Sequence, residues 1–463
     1  MSLRPLVIAS VVLACLANPS ARAADPPERA PDAQAKPLEA SAWKSKDGLR
    51  YTWVLPKGYD PAQPRALTVI LHGTGLDYRW GHWNNKPGVF RPDDVVVSVD
   101  GTSPDGAVRV FLGEKKDVEA FAAFLAEMRA TFAVDRVFLY GHSQGGFFVC
   151  HFAGEHPDQV AGVVAHASGA WSHSKSGKSV DPVSIAFLHG TADPVVPYAQ
   201  SPGSRDAFAK AGRPLLHLRR LAGYNHWPNA VRATETLDWC DGMTAKTPEH
   251  ALACALAILR AKKPDEYQWE TVVGFAGARD VLRRIEGEGP APFAEVAAET
   301  ARTAQEWSAK IEAHGALHVA ALRKTLPKKK GFELDGKPWL GHLVALREDM
   351  RGVDSVEALF AELGYDELAA GHAKATKTFF DAWYQPKPPK ALFEAALECL
   401  PKAFLFEGMP HDLAEKMKEW KSDSKLGASA KALKSWPLFE AWEQGWKDGA
   451  QTYEALWKQW KGP

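Results

Sequence analysis

The segment from Val137 to Gly146, with the sequence VFLYGHSQGG, constrains the fold of this chain more than any other. Its first four residues are apolar or aromatic, as in a buried strand, and they lead directly into the pattern G-x-S-x-G. Gly141 and Gly145 flank Ser143 where a sharp strand-to-helix turn leaves room only for small side chains. The sequence therefore predicts a strand, a tight turn with Ser143 at its tip, and a helix with Gln144 in its first turn.

This turn also indicates chemistry. It exposes the Ser143 hydroxyl at the end of a sheet, so Ser143 is the predicted nucleophile. It directs the backbone N–H of Gln144 toward the place where an oxyanion would form. In the structural alternative, Ser143 only caps the helix that follows.

Strand-like and helix-like segments alternate along the first half of the chain. Helical spacing over 115–131 and 204–211 separates apolar runs of strand length, which cover 50–55, 67–71, 95–99, 136–140, 160–165, 184–188 and 215–221. Such alternation favours an α/β fold with a mostly parallel sheet flanked by helices.

After about residue 261 the strand signals stop. Helical spacing follows over 269–285, 292–326, 356–363, 368–384, 391–400, 413–420 and 438–460. Because 463 residues exceed what one hydrophobic core usually holds, we expect two domains, an α/β domain over 46–262 and an all-α domain over 263–463. The second holds ten of the seventeen tryptophans, and its role is open.

The N-terminus resembles an export signal. Arg4 is followed by an apolar run over 6–17 and by Ala21-Arg22-Ala23, a pattern typical of a signal peptide cleaved after residue 23. Residues 24–45 are then expected to be a disordered linker, and the mature protein to be periplasmic or extracellular. A lipoprotein anchor through Cys15 is the alternative.

Composition excludes several classes of partner. Lys plus Arg and Asp plus Glu number 56 each, so a formal charge of zero gives no support to nucleic-acid binding. No later segment is apolar for long enough to cross a bilayer.

Four cysteines follow the signal without metal-ligand spacing, so we expect no metal site. Cys240 and Cys254 could form a disulfide, or the thiols could be free and buried.

A catalytic acid and a base are expected after the nucleophile, in that order along the chain. An apolar strand over 184–188 and a glycine turn precede Asp193, which is the predicted acid. Its alternative is a turn-forming aspartate before proline. His226 lies in the loop after the last strand and is the predicted base. Its competitors are His142, His151, His156, His166, His173, His189 and His217.

Loops at the same end of the sheet supply further candidates. Thr74 follows the strand over 67–71, and its backbone N–H is the predicted second oxyanion donor, unless this glycine-rich loop serves only as a turn. Tryptophans in these loops could stack on a sugar or an aromatic acyl group, or could simply pack; they are Trp80, Trp83, Trp171 and Trp227.

The segments LHGTG (71–75), GHSQGG (141–146), HGTADPVVP (189–197) and GYNHWP (223–228) together resemble the α/β-hydrolase superfamily. They are most similar to the secreted poly(3-hydroxybutyrate) depolymerase and feruloyl esterase group, with a secondary likeness to dienelactone hydrolases and prolyl-oligopeptidase-type hydrolases. The resemblance covers 46–262 and implies serine esterase chemistry by Ser143, His226 and Asp193. One departure is Thr74, where the depolymerase group commonly has a cysteine.

The expected activity is hydrolysis of carboxylic esters, either small molecules or acyl groups on polysaccharide, through an acyl-enzyme and without a cofactor. Two alternatives stay open. One is a peptidase or amidase of the prolyl-oligopeptidase type. The other is a catalytically silent hydrolase fold that binds a surface through its tryptophan-rich half.

Overall fold

A computed structural model describes residues 41–81, 90–172, 182–228, 230–260, 274–326, 339–407, 410 and 413–463. The predicted signal peptide and most of the predicted linker lie outside the described residues. The end of that linker, Ser41–Lys44, is not disordered but forms the first strand. Its Trp43 stacks on Trp53 of the next strand with ring centroids 6.4 Å apart, which gives this short strand an apolar contact.

Ten strands are described, and eight of them form one sheet. In chain order they are β1 (Ser41–Lys44), β2 (Arg50–Val54), β3 (Arg65–Leu71), β4 (Val95–Val99), β5 (Ser103–Asp105), β6 (Val108–Val110), β7 (Val134–His142), β8 (Gly162–His166), β9 (Ser184–Gly190) and β10 (Leu216–Leu221). The seven predicted strands are all present. The hairpin of β5 and β6, which lies outside the main sheet, was not predicted.

The main sheet has the order β1-β2-β4-β3-β7-β8-β9-β10. The pairs β1–β2 and β2–β4 are antiparallel, and every pair from β4 to β10 is parallel, as predicted. The carboxyl ends of the parallel strands therefore meet at one edge. That edge carries the loops after β3, β7, β9 and β10, which contain the predicted site residues.

Both faces of the sheet are buried because apolar residues occupy consecutive strand positions. Along β7, Val137 and Leu139 belong to one core and Phe138 and Tyr140 to the other, and none is more than 1% exposed. The Val137 face is covered by α1 (Lys115–Thr131), α2 (Gln144–Glu155) and α3 (Gln200–Lys210).

The Phe138 face is covered by α4 (Ala230–Thr244) and by the helices that follow it. These are α5 (Pro248–Leu259), α6 (Phe275–Ile285), α7 (Ala298–Thr325), α8 (Trp339–Asp349), α9 (Asp354–Leu363), α10 (Tyr365–Trp383), α11 (Lys390–Glu407), α12 (Leu413–Ser422) and α13 (Ala430–Trp457). The predicted all-α character of 263–463 is confirmed for the described residues, although α8 was not predicted. The helices α4 and α5, at the end of the predicted α/β region, were not predicted either. The last helix begins earlier than predicted, because Ser429 caps it by accepting a hydrogen bond from Ala432 N at 3.1 Å.

The helical half shares its core with the sheet. One continuous cluster of buried side chains runs from Ile70 and Tyr140 to helix residues such as Leu282, Leu343 and Trp383.

None of the helices described combines the length and the hydropathy that crossing a bilayer requires. Cys240 and Cys254 are buried free thiols, so the disulfide that the sequence left open is not present.

Candidate active site

Ser143 lies at a strained turn between β7 and α2. Its backbone has φ 52° and ψ −117°, which is rare for a residue with a side chain and costs of the order of 1–3 kcal/mol. The surrounding structure holds it there. Ser143 N donates to His166 O of β8 at 2.9 Å, and Ser143 O accepts from Gly146 N at 2.9 Å. The Ser143 side chain makes no capping hydrogen bond to α2, contrary to the structural alternative.

The two glycines of the G-x-S-x-G pattern are required by close contacts. A Cβ on Gly141 would lie 2.2 Å from Gly145 O, and a Cβ on Gly145 would lie 2.5 Å from Leu71 O. Real Cβ atoms do not approach so closely. The turn is therefore packed against the end of β3, which brings the loop after β3 beside Ser143.

Asp193 is fully buried in the loop after β9 and has four hydrogen-bond partners. Its Oδ1 accepts from the backbone N–H groups of Val195 and Val196 at 2.8 and 2.9 Å. Its Oδ2 lies 2.7 Å from His226 Nδ1 and 3.0 Å from His189 Nε2. Burial by itself would raise the pKa of this carboxyl, but the hydrogen bonds from His189 and His226 hold it well below its usual value.

His226 lies in the loop after β10 and is 8% exposed. Because the Asp193 carboxylate can only accept, His226 Nδ1 carries the hydrogen and Nε2 is left as the basic nitrogen. Its ring centroid lies 4.7 Å from that of His142, the residue before Ser143. The structure thus brings the predicted acid and base together beside the predicted nucleophile.

Of the competing histidines, only His189 shares the contact with Asp193 among the described residues, and both of its ring nitrogens are occupied there. His142 and His166 lie beneath His226 with their Nδ1 atoms 2.9 Å apart. Burial and the nearby His226 lower the pKa of both well below the usual value, so each is neutral at pH 7. His173 lies outside the described residues.

The loop after β3 turns directly over the site. Leu76 N donates to Gly73 O at 3.2 Å, which closes a turn with Thr74 exposed on it. A Cβ on Gly73 would lie 3.1 Å from Ser143 Cβ. Gln144 is the first residue of α2, so its N–H has no partner within the helix. These positions are compatible with the two predicted oxyanion donors.

Sequence reasoning missed His72, which anchors this loop. His72 Nδ1 donates to Gly73 O at 2.8 Å, and its Nε2 accepts from Gly101 N at 3.1 Å. Burial lowers the pKa of His72, so the neutral form that these bonds require persists at pH 7. Its place in LHGTG was visible in the sequence, but its partner in the loop after β4 was not.

The predicted tryptophans differ in exposure. Trp80 is 6% exposed and stacks on His142 at 4.9 Å, so it packs under the site rather than lining its mouth. Trp171 is 38% exposed and stacks on Phe147 at 5.8 Å. Trp227 is 53% exposed and also stacks on His142, with ring centroids 6.2 Å apart. Trp83 lies outside the described residues.

The helical half reaches the loop that carries Asp193. At the end of α10, Trp383 Nε1 donates to Ala192 O and the Tyr384 hydroxyl donates to Thr191 O, both at 3.3 Å. The sequence contained no signal for these contacts. They connect the helical half to the residues just before Asp193.

One group of potential metal ligands occurs among the described residues, away from Ser143. Side-chain atoms of Asp241, His250 and Cys254 lie within 4.8 Å of one another. Asp241 is already bound by the guanidinium groups of Arg91 and Arg136 at 3.0 and 2.9 Å. Two positive charges on this carboxylate disfavour a bound cation, so the group is better described as a buried ion-pair cluster.

Comparison with known proteins supports the fold. The model of the α/β hydrolase fold family matches residues 101–184, which contain Ser143. This match and the sheet order confirm the predicted α/β-hydrolase fold, followed here by a helical half.

Curated and solved relatives are similar to parts of the chain. It is 28% identical to a bifunctional acetylxylan esterase/xylanase of Neocallimastix patriciarum over 39% of this chain and 26% of that protein. The chain thus spans about a quarter of the length of the curated relatives it matches. A carboxylesterase structure from Mesorhizobium loti has 18% identity and a TM-score of 0.36, covering 43% of this chain and 98% of that one. A ferulic acid esterase structure from Anaeromyces mucronatus has 15% identity and a TM-score of 0.32, covering 44% and 91%.

Proposed function

We propose that this chain is a serine esterase that hydrolyses carboxylic esters through an acyl-enzyme. Ser143 attacks the ester carbonyl, and His226 Nε2 takes the hydroxyl proton and then donates it to the leaving alcohol. Asp193 orients His226 through Nδ1 and stabilises its protonated form. The backbone N–H groups of Gln144 and Thr74 stabilise the oxyanion. Water then cleaves the acyl-enzyme by the same route, and no cofactor is needed.

The observation that carries this proposal is the convergence of three distant segments. The strained Ser143 turn, the loop with Asp193 and the loop with His226 meet at the carboxyl ends of β7, β9 and β10. Strained backbone is common at catalytic positions, which supports the assignment of Ser143 as the nucleophile.

The proposed substrates are esters of small acids, including acyl groups on polysaccharide. Similarity to an acetylxylan esterase supports this class. The exposed rings of Trp171 and Trp227 offer flat apolar surfaces on which a sugar ring could stack.

We further propose that residues 1–23 direct export and are removed. N-terminal sequencing of the protein recovered outside the cytoplasm tests this proposal.

Labelling with a fluorophosphonate tests the reaction. Wild-type protein should be labelled at Ser143 and should hydrolyse p-nitrophenyl acetate, whereas Ser143→Ala should lose both properties and keep its circular dichroism spectrum. A folded wild-type protein that takes no label and turns over no ester would contradict the proposal, and would favour the silent surface-binding alternative.

A further inference from the structure

Asp193 has a second histidine partner that the proposed reaction does not use. His189 lies near the end of β9 and is fully buried. Its Nε2 lies 3.0 Å from Asp193 Oδ2, the same oxygen that His226 Nδ1 contacts at 2.7 Å. One carboxylate oxygen of Asp193 therefore contacts two imidazole rings.

Hydrogen bonds hold both ring nitrogens of His189. Its Nε2 also lies 3.0 Å from Val196 O, and because Asp193 and Val196 O can only accept, Nε2 carries a hydrogen. Its Nδ1 lies 2.7 Å from Ser201 Oγ, and Ser201 Oγ lies 2.7 Å from Ser168 O. These contacts fix the orientation of the ring and direct the Nε2 hydrogen toward the acid loop.

Ser201 and Ser168 are both 0% exposed, as is His189, so this network lies inside the protein. The buried Asp193 carboxylate needs hydrogen-bond donors to offset the cost of its burial, and His189 Nε2 supplies one of them. The chain from Asp193 through His189 and Ser201 to Ser168 thus links the acid loop to the end of β8.

We propose that His189 is a positioning residue of the candidate triad, which holds the Asp193 carboxylate in place for His226 by donating its Nε2 hydrogen to Asp193 Oδ2. This inference rests on the proposed function. Without this donor the carboxylate loses one of its four hydrogen bonds and no longer keeps the His226 ring in one orientation.

Substitution of His189→Leu tests this role, because leucine is of similar size to the imidazole and cannot donate to Asp193. We expect kcat for p-nitrophenyl acetate to fall about tenfold with KM unchanged, because the acid acts in the transition state and not in substrate binding. His189→Gln, which can still donate an N–H to Asp193, should recover most of this loss. Ser201→Ala, which removes the partner of Nδ1, should lower kcat by less than His189→Leu.

His156→Gln is the matched control, since His156 lies at the end of α2 and contacts Gln159 rather than the acid loop. Its kcat should equal that of wild type. Wild-type kcat in His189→Leu, or an equal loss in His189→Leu and His189→Gln, would overturn the proposal.

Nitrogen-15 NMR of the imidazoles in the wild-type protein keeps the test valid if the variants do not fold. Nε2 of His189 should carry a hydrogen at pH 7, and an Nε2 without one would overturn the proposal. Fluorophosphonate labelling separates this result from the proposed function. An unlabelled wild-type protein would overturn the esterase and the positioning role with it, whereas a labelled protein whose His189 Nε2 carries no hydrogen overturns the positioning role alone.

Discussion

Contact between the turn at Ser143 and the loop after β3 depends on the absence of one methyl group. Gly145 lies where its Cβ would approach Leu71 O to 2.5 Å and His72 O to 2.7 Å. His72 in turn holds Gly73 O, so the path of this loop is specified by a glycine on one side and a neutral imidazole on the other. The predicted oxyanion donors, Gln144 and Thr74, lie on the two segments that meet here.

Substitution of Gly145→Ala should therefore reduce activity more than stability. The added methyl group pushes the loop after β3 away from Ser143, and displacement of one oxyanion donor costs about 100-fold in kcat. Turnover of p-nitrophenyl acetate and the thermal midpoint of unfolding measure the two effects. Gly203→Ala in α3 is the control, because nothing lies within 4 Å of its added Cβ. It should stabilise the protein by up to about 1 kcal/mol and leave kcat unchanged.

Helices α7 and α8 enclose three histidines in the core of the helical half. His318 Nδ1 lies 2.9 Å from His342 Nε2, and His318 Nε2 lies 3.3 Å from His314 Nε2. Burial lowers the pKa of His314 and His342 to about 4 each. Burial, followed by the two neighbouring rings, lowers the pKa of His318 to about 2. The three rings form a linear chain of neutral hydrogen-bond donors and acceptors.

The low pKa values of these three histidines predict that the protein loses stability in mild acid. Below pH 6.5 the unfolded chain binds protons on these histidines that the folded protein does not bind until about pH 4, so the free energy of unfolding falls as pH falls through that window. Replacing His342→Gln removes one of the groups. Between pH 7.5 and 5 its unfolding free energy should fall by about 2 kcal/mol less than that of wild type.

Urea unfolding followed by tryptophan fluorescence at the two pH values measures this difference. His156→Gln, at the end of α2, should retain the pH dependence of wild type. An equal fall in wild type and His342→Gln would show that the histidine chain does not titrate on unfolding.

At the scale of the whole molecule, the helical half is joined to the sheet through charge as well as apolar contact. Arg219 of β10 donates to Glu348 O and to Asp349 of α8, both at 2.5 Å. Asp349 also accepts from the Tyr453 hydroxyl of α13 at 2.9 Å. Burial would raise the pKa of Asp349, but the positive charges of Arg232 and Arg219 and the hydrogen bonds from Arg219 and Tyr453 hold it below its usual value. The end of α10 is the part of this half that contacts the acid loop.

Removal of one hydroxyl from that contact should affect catalysis. Tyr384→Phe deletes the hydrogen bond to Thr191 O, worth about 1 kcal/mol, and lets the loop that carries Asp193 move. We expect kcat to fall about two- to fivefold with KM unchanged, the range that 0.4–1 kcal/mol corresponds to.

Tyr453→Phe is the matched control, because it also removes a buried hydroxyl from the helical half but not from the acid loop. It should lower the thermal midpoint and leave kcat at the wild-type value. Wild-type kcat in Tyr384→Phe would show that α10 supports the fold without supporting the site.

Local patterns determined the elements of this protein. The helix predicted over 115–131 is α1 (Lys115–Thr131), because its apolar spacing and its neighbours leave no competing structure. The G-x-S-x-G pattern likewise predicted the turn at Ser143, since Gly141 is required by the nearby Gly145 O, whereas the contact of Gly145 with Leu71 O depends on the fold. Asp193 and His226 were predicted from their order along the chain. Their contact also required that the strands before them be neighbours in the sheet.

Only the tertiary structure decided which side chains meet across the chain. Trp383 and Ala192, which share a hydrogen bond, are 191 residues apart, and no local pattern relates them. His189 was visible beside Asp193 in the sequence, but its function depends on Ser201 and Ser168, which the packing of α3 on the sheet brings to it. The physical reason is that periodicity specifies which face of an element is buried, whereas the partner of a polar group inside that face is determined by how the elements pack against one another.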